Sequence, residues 1–162
     1  MQAQLTIAVR AARRAGDLIL RNLNRIRPQD ISSKGWNEVV TEVDLRAEED
    51  IKETIRRSFP HHAFLAEESG ASGDNDHVWI IDPLDGTDEY SQGRTDFAVH
   101  VALWQRASGE MGGLTDAVVD VPALGEVWRT DAPRAMGPLP TNRALRIVVS
   151  RSRPPAGLTR LL

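Results

Sequence analysis

Asp82 and Asp85 stand three residues apart, directly after the apolar run Val78-Trp79-Ile80-Ile81, and Gly86-Thr87 follows them. An apolar run that stops in Asp82-Pro83-Leu84-Asp85-Gly86-Thr87 reads as a buried strand ending in a tight, carboxylate-bearing turn. Carboxylates are the hard oxygen donors that Mg²⁺ prefers in its octahedral shell. Two such ions held close together activate water and stabilise the attacking and leaving oxygens of a phosphoryl transfer. Asp82 suits the bridging ligand of such a pair, and Asp85 the second carboxylate. Leu84 can turn its backbone carbonyl toward a metal, and Pro83 fixes the turn where a missing N–H costs nothing. Gly86 lets the backbone approach a phosphate. Thr87 is placed to cap a short helix whose N–H groups face the anion. The charge of the metals reconciles an acidic site with an anionic substrate.

The plain alternative is that Asp-Pro-x-Asp-Gly is a surface turn and nothing more, since Asp, Pro and Gly are ordinary turn residues. What raises the chemical reading is the company this stretch keeps. Thr41 and Asp44 lie upstream, followed by Glu67-Glu68-Ser69, and each group sits at the end of an expected element. Thr41 with Asp44 three residues on resembles a capping box, so helix capping is the competing role for Asp44.

The positioning elements read as follows. Residues from about Ala3 to Leu23 form an amphipathic helix, with Leu5, Ala8, Val9, Ala12, Gly16, Ile19, Leu20 and Leu23 on one face. Asn24 to Glu38 is a polar connection with a short strand around Ile31. A second helix opens at Thr41 and runs to about Phe59, with Ala47, Ile51 and Ile55 as its apolar stripe. Glu48, Glu49, Lys52, Glu53, Arg56 and Arg57 form its wet side, and Pro60 stops it. Ala63 to Ala66 reads as a short buried strand ending in Glu67, and Gly70 to His77 as a polar loop. If this strand neighbours Val78–Asp82 with both ends on one edge, Glu67, Asp82 and Asp85 converge.

Strands follow at Phe97–Trp104, about 114–121 and 125–130, with short connections that favour an antiparallel meander. Ala132–Asn142 reads as a loop, Leu145–Val149 as a strand, and Pro155 onward as the start of a helix. The fold class is α+β, two helices packed on a mainly antiparallel sheet. His61, His62 and His77 fall in polar loops and read as solvated. His100 falls inside a strand and reads as a partly buried hydrogen-bonding residue.

Composition narrows the classes. The chain has 162 residues, enough for one domain with a core, and no cysteine, which excludes disulfides, zinc–thiolate sites and thiol nucleophiles. Its net charge of −3 and the lack of an aromatic platform beside the first-helix arginines argue against nucleic acid as a partner. No apolar run approaches the roughly 20 residues of a membrane span. Arg10, Arg13 and Arg14 interrupt the N-terminus as a signal peptide. The expectation is a cytoplasmic protein that acts on a small molecule.

The combination Val40-Thr41…Asp44, Glu67-Glu68-Ser69 and Trp79-Ile80-Ile81-Asp82-Pro83-Leu84-Asp85-Gly86-Thr87 resembles the inositol monophosphatase superfamily of Mg²⁺-dependent, lithium-sensitive phosphatases. The resemblance covers essentially the whole chain. It implies that Glu67, Asp82 and the Leu84 carbonyl bind one metal, that Asp82 and Asp85 bind another, and that two or three Mg²⁺ ions take part. It further implies that Thr87 and Asp44 pair to orient a nucleophilic water, with Glu67 assisting and Glu68 behind it. The Gly86 and Thr87 amides would bind phosphate beside Leu84 and Asp85. The implied reaction is in-line attack of water on a phosphate monoester, with no covalent intermediate.

Within the superfamily, Asp88-Glu89-Tyr90 resembles the Gly-Thr-x-Glu-aromatic form of the 3'(2'),5'-bisphosphate nucleotidases of the CysQ type. The runs Phe97–Arg106 and Leu145–Pro155 resemble the same group. The implied substrate is 3'-phosphoadenosine 5'-phosphate or its sulfated relative. Inositol monophosphatase or fructose-1,6-bisphosphatase activity is the alternative within the class. A non-catalytic metal- or phosphate-binding module is the alternative outside it.

The sequence departs from the family in one respect. Members carry a second half with a Trp-Asp motif whose aspartate is a further metal ligand, and no Trp-Asp pair occurs here. Residues 1–162 are therefore expected to be the N-terminal, metal- and phosphate-binding half of the fold, and to hydrolyse substrate poorly alone.

Overall fold

The computed structural model of the chain describes residues 3–25, 31–35, 38–106 and 112–132, and in 31–35 and 38–40 the backbone alone. The strand expected over Leu145–Val149, the helix from Pro155 and most of the loop after Ala132 lie outside the described residues.

Helix α1 spans Ala3–Asn22 and buries Leu5, Ala8, Ala12, Gly16 and Ile19 as its spacing predicts. Its contact face is mostly alanine, which brings the helix close to the sheet. At Gly16 an added Cβ would collide with the Asp120 carboxylate. Leu20, expected on the same face, is 37% exposed, because it lies roughly 100° around the helix from Ile19.

A hairpin follows, β1 (Ile31–Gly35) with β2 (Glu38–Thr41). The first strand matches the expectation around Ile31. The second falls where a polar connection running into the helix start was expected. Helix α2 spans Glu42–Arg56, capped by Thr41. Ala47, Ile51 and Ile55 are fully buried. Two residues expected on its wet side are buried as well, Glu48 and Lys52. The helix also stops short of the expected Phe59, with the amides of Ser58 and Phe59 folding back onto the Ile55 carbonyl.

The sheet has six strands in the order β4-β3-β5-β6-β7-β8. These are β3 (Ala63–Ala66), β4 (Gly70–Ser72), β5 (His77–Asp85), β6 (Ala98–Gln105), β7 (Gly113–Val121) and β8 (Glu126–Arg129). The pairings from β5 to β8 are the expected antiparallel meander, whereas β3 and β5 run parallel. β4, expected as loop, is an edge strand on β3; its Gly-Ala-Ser composition carries no strand signal. A short helix, α3 (Thr87–Ser91), follows β5.

α1 packs on β6 and β7, and α2 packs on α1 and β5. The core between them is Trp79, Ile81, Val99, Val101, Leu103 and Val118 against the buried helix residues. On the opposite sheet face Leu65 and Ile80, register partners on β3 and β5, are 48% and 37% exposed. Among the described residues no helix is long and apolar enough to cross a membrane.

Two histidines expected to be solvated are not. His62 stacks between Phe59 and His77, at 4.8 and 4.6 Å between ring centroids. Its Nδ1 accepts a 3.0 Å hydrogen bond from the indole of the fully buried Trp79. An imidazole offers both a flat face and an acceptor, so the edge of the core recruits it.

Candidate metal centre

The parallel pairing of β3 with β5 is what brings the first two carboxylates together. Ala66 lies opposite Ile81, and the next amide, that of Glu67, donates to the Ile81 carbonyl at 3.0 Å. Glu67, at the end of β3, and Asp82, within β5, therefore lie side by side. Burial pushes the Asp82 carboxyl above the usual carboxylate range, and the nearby charges of Asp85 and Asp44 push the same way. Hydrogen bonds from the Glu67 side chain and the Leu84 backbone oppose the rise. One oxygen, Asp82 Oδ1, is buried with no hydrogen-bond partner.

Asp85 reaches the same place through an irregularity. Residues three apart on a regular strand point to opposite faces. Here Asp82 pairs with His100 and Asp85 with Ala98, so β5 spends one more residue than β6 between the two pairs. This bulge at Pro83 and Leu84 returns Asp85 to the side of Asp82. The stretch expected as a turn is thus a strand that continues through a bulge, and Pro83 fits it because a bulge needs no ladder N–H there. Donor atoms of Asp82, Asp85 and His100 lie within 4.8 Å of one another. His100 Nε2 is 3.6 Å from Asp85 Oδ2.

The second wall is built on α2. Asp44 is 1% exposed. Its Oδ2 accepts the Thr41 amide at 3.0 Å and the Thr41 hydroxyl at 2.5 Å, and its Oδ1 accepts the Thr87 hydroxyl at 3.0 Å. Burial raises the Asp44 carboxyl, with the bonds from Thr41 and then Thr87 acting against the rise. Thr87 Oγ1 also lies 2.9 Å from the Leu84 carbonyl. Thr87 does not cap α3, as its position had suggested. The N-cap is Gly86, at φ 99°, and Thr87 spends its hydroxyl on Asp44 and Leu84.

An oxygen-rich donor set with one imidazole, around a buried carboxylate oxygen that nothing donates to, fits a divalent cation. Asp82, Asp85 and His100 are the described residues whose donor atoms cluster for it.

Three comparisons with known proteins fix the lineage. The inositol monophosphatase family pattern matches residues 1–134. The chain belongs to the inositol monophosphatase family. It is 40% identical over 151 residues to the Nus factor SuhB of Pseudomonas aeruginosa, covering 91% of this chain and 53% of that protein. The fold matches the extragenic suppressor protein suhB of Bartonella henselae with a TM-score of 0.72 at 32% identity, covering 94% of this chain and 56% of that one. It matches an IMPase of Thermotoga maritima with a TM-score of 0.69 at 30% identity, covering 93% and 55%. The chain spans about half the length of these relatives.

In this inositol monophosphatase family member the expected residues fall into two groups of contacts, and Glu67 lies outside the cluster of donor atoms that Asp82, Asp85 and His100 form. Glu67 meets Asp82, Asp85 returns through the bulge, and Thr87 joins Asp44 to the Leu84 carbonyl. Two residues escaped the sequence reading. The burial of Val99, Val101 and Leu103 on β6 implies that His100 faces the other way, but only the strand register puts it opposite Asp82. Glu48 was hidden by its charge and its regular place among surface acids.

Proposed function

We propose that the chain carries the metal- and phosphate-binding half of a Mg²⁺-dependent phosphomonoesterase. The observation that carries this reading is the buried, donor-less Asp82 Oδ1, on a carboxyl group that is hydrogen-bonded to Glu67 and feels the charges of Asp85 and Asp44. In this reading Glu67, Asp82, Asp85 and the Leu84 carbonyl hold Mg²⁺, with His100 beside them. Bound there, the cations offset the charge of a phosphate and lower the pKa of water.

The chain's own groups do the rest. Thr87 has one hydroxyl proton, and when Asp44 takes it the Thr87 oxygen is left to accept a proton from a water aligned for attack. Gly86 takes the αL conformation at the start of α3, and the amides of Gly86 and Thr87 are the proposed donors to phosphate oxygens. The substrate is proposed to be 3'-phosphoadenosine 5'-phosphate or its sulfated form, on the strength of Asp88-Glu89-Tyr90 after the Gly-Thr pair. A second reading, an inositol phosphate, is favoured by the likeness to the Thermotoga maritima IMPase.

Phosphate release from 3'-phosphoadenosine 5'-phosphate and from inositol 1-phosphate, with Mg²⁺ and an Asp82→Asn control, separates these. Faster release from the nucleotide, lost in Asp82→Asn, supports the proposal. The reverse order supports the inositol reading. Because residues 1–162 are expected to hydrolyse substrate poorly, release is read at high chain concentration; Mn²⁺ binding with no release even there supports a non-catalytic metal-binding module, and no metal binding at all overturns the site.

A further inference from the structure

Glu48 is 2% exposed and lies on α2 one turn after Asp44 and one turn before Lys52. Its Oε2 accepts the Glu68 amide at 2.7 Å, and its Oε1 accepts the Ser69 amide at 3.2 Å. Lys52 Nζ is 3.2 Å from Oε1 and donates to the Ser69 hydroxyl at 3.0 Å. The preceding amide, that of Glu67, is held by the Ile81 carbonyl. Three consecutive amides after β3 are therefore fixed, one by β5 and two by a single side chain of α2.

A buried carboxylate with one lysine is a poor choice for stability alone, since well-packed apolar residues in such places are often as good or better. What Glu48 holds explains its presence. The turn begins at Glu67, whose side chain meets Asp82. We propose that Glu48 is a positioning residue that fixes the Glu67 carboxylate for metal binding. Asp44 and Glu48 then let one helix set both walls of the site, Asp44 through Thr87 and Glu48 through the Glu67 turn. The proposal rests on the reading of Glu67 and Asp82 as metal ligands. Partners that orient ligands in this way are worth about 10–100-fold in metal affinity.

The test is Mn²⁺ binding to the 162-residue chain by electron paramagnetic resonance, with circular dichroism and melting of the metal-free forms. The parent is expected to bind and Asp82→Asn to lose binding. Glu48→Gln should bind at least about tenfold more weakly while its metal-free circular dichroism is unchanged. Glu48→Asp keeps the buried charge but withdraws it by one methylene, and the same loss is expected, which covers the case of a Gln variant that fails to fold. Val118→Ala, a core change on β7, controls for general loosening and should leave affinity within about twofold of the parent. Parent-like affinity in Glu48→Gln or Glu48→Asp, or an equal loss in Val118→Ala at matched melting temperature, overturns the proposal while leaving the site intact. A parent that binds no Mn²⁺, or an Asp82→Asn that binds as the parent does, overturns the reading of the site and the proposal with it.

Discussion

Thr87 and Asp44 stand 43 residues apart in sequence and meet in a 3.0 Å hydrogen bond. The bond uses only one oxygen of Asp44; the other caps α2 through Thr41. The contacts behind the two roles that compete for Asp44 in the sequence, the cap and the proposed catalytic pairing, are therefore made by different atoms, and they can be separated by substitution. Thr41→Val removes the cap hydroxyl and should cost about 1 kcal/mol in urea unfolding, with phosphate release changed only a few-fold. Thr87→Val should cost a similar amount of stability but lower kcat by about 10²-fold or more, because it removes the hydroxyl proposed to align water. Equal loss of activity in both variants would contradict the division.

Much of this was legible in sequence because strand and helix ends advertise themselves. Val78 to Ile81 stops in carboxylates, and Thr41 with Asp44 announces a helix start, so Asp44, Glu67, Asp82 and Thr87 could be named from pattern. What pattern cannot carry is register. The bulge that turns Asp85 back toward Asp82, and the pairing that sets His100 opposite Asp82, depend on which residue of β6 faces which residue of β5. Glu48 and Lys52 escaped for a different reason: hydrophobic periodicity assigns every charged residue to water, whereas these two are buried by hydrogen bonds to a turn nearly twenty residues away or more.

Gly86 should not tolerate a side chain. Its φ is 99°, and a Cβ would lie 2.6 Å from the Asp96 carbonyl oxygen and 3.2 Å from Phe97 Cα, both backbone atoms that cannot swing away. Gly86→Ala is expected to lose at least about 2 kcal/mol in chemical denaturation. A loss below about 0.5 kcal/mol would mean that the Asp96–Phe97 backbone yields freely.

His62 makes the Trp79 contact pH-sensitive. Nδ1 accepts the indole N–H, so the bonded form is neutral, and burial first, then His77 and His61, lowers its pKa from 6.5. Below that ordinary value the unfolded chain takes up a proton that the folded one resists. This contribution is therefore fully present above pH 6.5 and is lost as pH falls toward the lower folded value. Melting temperature should fall across that window together with a change in tryptophan emission. His62→Gln, which keeps an acceptor but does not titrate, should flatten the His62 part of the profile.

Asp82 works in the opposite direction. Its folded pKa lies above 3.8, chiefly through burial, so the metal-free fold holds a proton there that the unfolded chain releases. Stability is thus favoured below the ordinary value and lost as pH rises through the folded value. Asp82→Asn removes this penalty. The metal-free variant should melt higher than the parent at pH 7, and the gap should close as pH approaches 4. Added Mg²⁺ should raise the melting temperature of the parent and leave the variant unmoved.

His100 should shape which metal the site prefers. At 3.6 Å, its Nε2 is too far from Asp85 Oδ2 for a hydrogen bond. It is close to the roughly 3.4 Å that separates two donors sharing one ion with bonds of about 2.1 Å. Imidazole suits Zn²⁺ and the later first-row ions such as Co²⁺ better than Mg²⁺, which favours oxygen throughout. The imidazole also sits 40% exposed at the rim, so replacing it should disturb the fold little. Calorimetric titration of His100→Asn should therefore show affinity for Zn²⁺ and Co²⁺ falling by about tenfold, with affinity for Mg²⁺ nearly unchanged. If all these cations weaken alike, His100 acts on Asp85 rather than on the ion, because a carboxylate left misaligned is lost to every metal equally.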